Sequence, residues 1–145
     1  MVCTFFGHRD CSDSVYDCIK SAIVYLITNE GVNSFIVGNN GNFDRLVIRA
    51  LKECTEIYAH IEYCVALAYI PKNEVYEYPT LFMQGLESVP KKYAISYRNK
   101  MMIDKCDWVI GYIRRGFGGA HSFFELARKK DKKCINLYKT EGGAP

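Results

Sequence analysis

A chain of 145 residues fits one domain and leaves little room for a second. With 49% hydrophobic and 24% charged residues its composition is that of a globular protein, which excludes a disordered or collagen-like chain. A net charge of +3 is too small to imply nucleic-acid binding by bulk electrostatics, and the lysines gather late, in "RKKDKK", where they suit a helix C-terminus.

In chain order, "VCTFF" (2–6) reads as a short buried strand. Residues 12–31 carry apolar positions at Val15, Cys18, Ile19, Ala22, Ile23, Leu26 and Ile27, the stripe of an amphipathic helix. Ser14 with Asp17 resembles a capping box at its start. "SFIVG" (34–38) predicts a second strand. "FDRLVIRALKEC" then begins a helix with Asn42 as its N-cap. "YCVALAYI" (63–70), continuously apolar, predicts a third strand covered on both faces. Residues 71–93 hold three of the four prolines and form an irregular insertion. After it come a helix at 94–106, a strand at 107–113, a helix at 119–130 and a strand at 133–138. The tail "TEGGAP" reads as frayed, so a single domain over 1–140 is followed by a flexible 141–145.

The alternation predicts an α/β fold: a Rossmann-like three-layer sandwich with a mainly parallel sheet of about five strands. Right-handed crossovers bring the strand-to-helix loops to one edge of the sheet. "GHRD", "GNNGN" and "RRGFGGAHS", distant in sequence, therefore converge on one crevice.

Those loops carry chemistry suited to an anion. In "VGNNGNFD", Gly38, Asn39, Asn40 and Gly41 lead into a helix whose first amides favour phosphate. Asp44 is either a helix-start aspartate or an acceptor for a sugar hydroxyl. In "GFGGAHSFFE", Gly118, Gly119, Ala120, His121 and Ser122 repeat the arrangement. Glu125 is either a site carboxylate or the capping-box partner of Ser122. At Gly7, His8 and Arg9, the arginine offers a planar fork to phosphate and the histidine a donor or an acid–base group. The alternative is an Arg9–Asp10 pair with a satisfied His8. Arg98 and Arg114 add cationic groups, and the aromatics of 76–93 offer surfaces for a stacked base.

Seven scattered cysteines without a CxxC pair point to free thiols in a reducing compartment, and to no metal site. The start "MVCTFFGHRD" is too polar for a signal peptide, and no apolar run reaches the roughly 18 residues of a membrane span. A cytoplasmic protein without membrane contact is the expectation, and no cofactor is called for.

"RNKMMIDKCDWVIGYIRRGFGGAHSFFE" resembles the signature of the LOG (Lonely Guy) phosphoribohydrolases. Arg98 and Met102, Cys106-Asp107 before the strand, and Gly118-Gly119-Ala120-His121-Ser122 with Glu125 occupy its positions. "CTFFGHRD" is similar to the start of the small bacterial and phage proteins related to YpsA, within the wider SLOG superfamily (Smf/DprA–LOG). The resemblance implies a Rossmann-like domain that binds a nucleotide or nucleotide-derived ligand, as a homodimer or larger homo-oligomer. It also implies that Arg98 and Glu125 would serve cleavage of nucleoside 5′-monophosphates if the chain is a hydrolase, with Glu125 steadying an oxocarbenium-like centre. Phe117 stands where those enzymes keep Pro, His121 where they keep Gly, and Ser122 where they keep Thr. The expected function is therefore binding of an ADP-ribose-like or nucleoside-phosphate ligand, as a sensor or sequestering module. N-glycosidic hydrolysis is the alternative, and single-stranded nucleic-acid binding, as in the DprA branch, comes third.

Overall fold

The computed structural model describes residues 1–138, so the tail expected to fray lies outside the described residues. Six parallel strands form one sheet: β1 (Val2–Gly7), β2 (Ser34–Val37), β3 (Glu62–Ala66), β4 (Thr80–Leu81), β5 (Trp108–Tyr112) and β6 (Lys133–Asn136). Their order is β4-β3-β2-β1-β5-β6. The helices are α1 (Tyr16–Asn29), α2 (Asn42–Ile57), α3 (Ala94–Lys105) and α4 (Gly119–Lys129). The α/β sandwich is as the alternation predicts, with six all-parallel strands instead of about five. Among the described residues no helix is long and apolar enough to cross a membrane.

Strand alternation divides the core into two layers, because successive side chains point to opposite faces. Cys3, Phe5, Phe35 and Val37 pack with Ile19 and Ile23 of α1 and with Leu46 and Leu51 of α2. Phe6, Ile36 and Val109 pack on the other face with Met102 and Ile103 of α3 and Phe124 of α4. Thr4 would be an unpaired hydroxyl in this core, but it donates to the Ile36 carbonyl at 2.6 Å and so ties β1 to β2.

The third strand stops at Ala66, four residues short of the expected 70. Leu67 and Ala68 are apolar because they are buried, not because they continue the strand. Ala68 packs with Leu86 and Ala94 beneath the 71–93 insertion. That insertion contributes the unexpected β4, whose two residues pair with Val65 and Ala66. A strand so short, next to a proline, leaves no periodic signal.

Helix starts differ from expectation as well. Ser12, not Ser14, supplies the capping oxygen, accepting from the Ser14 amide at 3.2 Å. A 3-10 turn at Asp13–Val15 follows, and α1 begins only at Tyr16. Asn42 is the first helical residue of α2, with Gly41 as the cap. Likewise Gly118 caps α4, so Ser122 lies past the first turn and forms no capping box with Glu125.

Candidate functional site

The strand order reverses at β1. The chain leaves β1 through α1 toward β2 on one side, while β5 and β6 lie on the other. Loops at the carboxyl ends of such strands diverge and leave a crevice. A cleft of about 560 Å³ opens there. The loop after β1, the loop after β2, α3 and the start of α4 all reach it.

Two of these walls begin with the same backbone device. Gly41 has φ 96° and ψ 179°, and Gly118 has φ 94° and ψ 173°. This region is essentially closed to residues with a Cβ. Neither helix has a side-chain cap, yet the two ends are used differently. At α2 the Asn42 amide donates to the Arg9 carbonyl at 2.8 Å. The Asn42 side chain donates to the Cys11 carbonyl at 2.7 Å and to Asp13 Oδ1 at 2.8 Å. The start of α2 thus braces the loop after β1. At α4 the first amide used is that of Ser122, which donates to the Gly118 carbonyl at 3.0 Å. Among the described residues the amides of Gly119, Ala120 and His121 have no acceptor, and the first turn holds no acidic residue. Such an end presents aligned donors and a partial positive charge to an anion.

Arg98, only 2% exposed, lies in the cleft wall. Its Nε and Nη2 donate to Asn99 Oδ1 at 3.1 and 3.0 Å. Its Nη1 donates to Asn40 Oδ1 at 2.8 Å, with Asn39 Oδ1 at 3.4 Å and the Ala66 carbonyl at 3.3 Å. All of these acceptors are neutral. No carboxylate among the described residues lies within ion-pairing distance of the guanidinium. Burial pulls the Arg98 pKa down, and nearby Asp44 opposes that. Arginine nevertheless stays charged. Gly38 makes room for it: a Cβ there would sit 2.9 Å from Arg98 Nη2 and 3.0 Å from Asp44 Oδ2.

Asp44 is 8% exposed and shares the cleft. Its Oδ2 accepts the Asn40 amide at 2.9 Å, while Oδ1 has no partner among the described residues. Burial raises its pKa to about 6, against the opposing pull of the Asn40 hydrogen bond, Arg98 and Arg9.

His8 is 4% exposed. Its Nε2 accepts the Arg114 amide at 3.0 Å, which places the ring proton on Nδ1. Burial, then Arg115 and Arg114, lower its pKa, so the neutral imidazole predominates near pH 7. Nδ1 has no partner among the described residues. Asp10 pairs with Arg114 at 3.3 Å and Arg115 at 2.9 Å, joining the loops after β1 and β5, and does not pair with Arg9. The Arg115 hydrogen bond holds its carboxyl below the usual range.

Of the predicted site residues, the cleft gathers Gly7, His8, Arg9, Gly38, Asn40, Asp44, Arg98, Gly118, Gly119 and Ala120. Asn39, Gly41, Arg114, His121, Ser122 and Glu125 do not line it. Glu125 instead lies 4.0 Å from Arg128 on a partly exposed face of α4. The aromatic residues lining the cleft are Phe5, Phe6, Phe117 and Phe123, of which Phe5 and Phe6 are buried in the core. The insertion's Tyr76 and Tyr78 stack on each other at 5.3 Å and pack toward the α1–α2 layer. From that insertion only Lys92 reaches the cleft. Sequence reasoning missed Ile95 and Asn99 and read Met102 only as a motif position. Ile95 and Met102, at −3 and +4 from Arg98, share its helical face, a signal that was available, whereas Asn99 at +1 carries no such signal. Comparison with protein-family models and with curated proteins finds no match.

Proposed function

We propose that this cleft binds a nucleotide or nucleotide-derived ligand, placing its anionic group between Arg98 and the start of α4. The observation that carries the reading is Arg98, a buried cation held only by neutral oxygens. Buried charges ordinarily have an opposite charge beside them, because desolvation without one is costly. A ligand phosphate fits that role, and the unused amides of Gly119, Ala120 and His121 supply further donors. Phe117 and Phe123 give the cleft apolar surface suited to a base or sugar face. The sequence resemblance to the SLOG superfamily supports the same ligand class. It also supports a homo-oligomeric module acting as a cytoplasmic sensor or sequestering protein.

Hydrolysis draws less support, because Glu125, the carboxylate that the resemblance assigns to the reaction, does not line the cleft. The test is thermal denaturation with AMP and, separately, ADP-ribose, with chromatography of the same mixtures. At least one ligand should raise the melting temperature by several degrees without release of base or sugar, since ligand selective for the native state stabilises it. Arg98→Met should remove the shift while leaving far-UV circular dichroism intact. Absence of a shift with both ligands would sink the reading. Free base that disappears in Glu125→Ala would replace it with the hydrolase.

A further inference from the structure

Resting on the reading above, we infer that Asp44 is the specificity residue for the sugar. Its open oxygen Oδ1 accepts a hydrogen bond from a ribose hydroxyl, so the cleft selects ligands that carry a cis-diol beside an anionic group.

The argument starts from which groups Asp44 would tolerate. Its Oδ2 is occupied by the Asn40 amide, and Oδ1 is free in a side chain that is 8% exposed and faces the cleft. An ionised carboxylate oxygen only accepts hydrogen bonds, so a partner reaching Oδ1 from the cleft must donate. A ligand cation is disfavoured, because Arg98 and Arg9 face the same carboxylate. A second anion is disfavoured by Asp44 itself. What remains is a neutral donor, and a sugar hydroxyl is the neutral donor that lies closest to a nucleotide's phosphate. The exocyclic amine of a base is the competing neutral donor. Phe117 and Phe123, which line the cleft, give a base an apolar surface to lie against instead. Gly38 lets both groups sit side by side at the cleft, because any side chain there would press on both Arg98 Nη2 and Asp44 Oδ2.

The experiment compares the affinities of AMP, 2′,3′-dideoxy-AMP and IMP for the wild-type chain and for Asp44→Asn, by calorimetry at pH 7.5. Asparagine keeps an oxygen for the Asn40 amide but turns an NH₂ toward the cleft, replacing an acceptor by a donor. The wild type should bind AMP and IMP alike and dideoxy-AMP about tenfold more weakly, on the order of one hydrogen bond to a charged group. Asp44→Asn should lose most of that preference. Equal wild-type affinity for AMP and dideoxy-AMP, or an unchanged preference in the variant, overturns the assignment and leaves the nucleotide reading standing. Discrimination against IMP that vanishes in Asp44→Asn overturns it in favour of the base amine. Failure of all three ligands to bind overturns the assignment, and failure of ADP-ribose as well overturns the reading it rests on.

Discussion

Asp44 keeps its carboxyl where burial works against it. The pKa rises from 3.8 to about 6, so the folded protein binds this proton more tightly than the unfolded chain does. Between those two values the native state holds more protons, and stability from this group falls as pH rises. It is fully present below about pH 4 and lost above about pH 6. Asp44→Asn abolishes that dependence and keeps an acceptor for the Asn40 amide. The variant should therefore be more stable than wild type at pH 7.5, by roughly 1–3 kcal/mol from two pKa units. The gain should fade as pH drops toward 4. Urea denaturation at both pH values measures it, and a variant less stable at pH 7.5 would contradict this account of Asp44. A residue that lowers stability where it stands is the pattern expected of a functional group. Arg98 follows the same logic, buried and hydrogen-bonded to Asn39, Asn40 and Asn99 with no carboxylate among the described residues within ion-pairing distance.

At the scale of elements, the two glycine-capped helices set the geometry. Gly41 and Gly118 share nearly the same backbone angles, but their surroundings differ. A Cβ on Gly118 would meet nothing within 4 Å, so Gly118→Ala costs only the backbone strain, about 1–3 kcal/mol. A Cβ on Gly41 would lie 2.6 Å from Arg9 Cα, so Gly41→Ala adds a clash with the loop after β1. The second variant should unfold at clearly lower urea concentration than the first, and the reverse order would show that the two starts are not built as described. The elements themselves were readable where periodicity was strong. The Phe43-Leu46-Val47-Ala50 stripe marks α2, and the apolar run at 2–6 marks β1. Thr80–Leu81 was not readable, because two residues carry no period. The cleft's glycines and Arg98 could be read from loop chemistry and the order of motifs. The absence of Glu125 from the cleft could not, because it depends on how α4 turns after Gly118, with Phe124 facing the core and Phe123 the cleft.

At the scale of the molecule, the fold concentrates what the composition dilutes. A net charge of +3 over 145 residues is weak. Yet Arg9, Lys92, Arg98 and Arg115 face one cleft against Asp10 and Asp44, and Asp10 is already paired with Arg114 and Arg115. Low-dielectric walls focus such a field on an entering anion. Parallel order brings the three loops together at the reversal beside β1, which is why residues 8, 38 and 118 meet. The most direct test of the central claim is a titration of ¹⁵N-labelled protein with AMP and, separately, with ADP-ribose, followed by amide and Arg side-chain NMR. The account predicts that the largest shifts fall on the amides of Gly119, Ala120 and His121 and on the Arg98 Nε–H. Saturable shifts confined to other surfaces, or no shifts with either ligand at millimolar concentration, would contradict it.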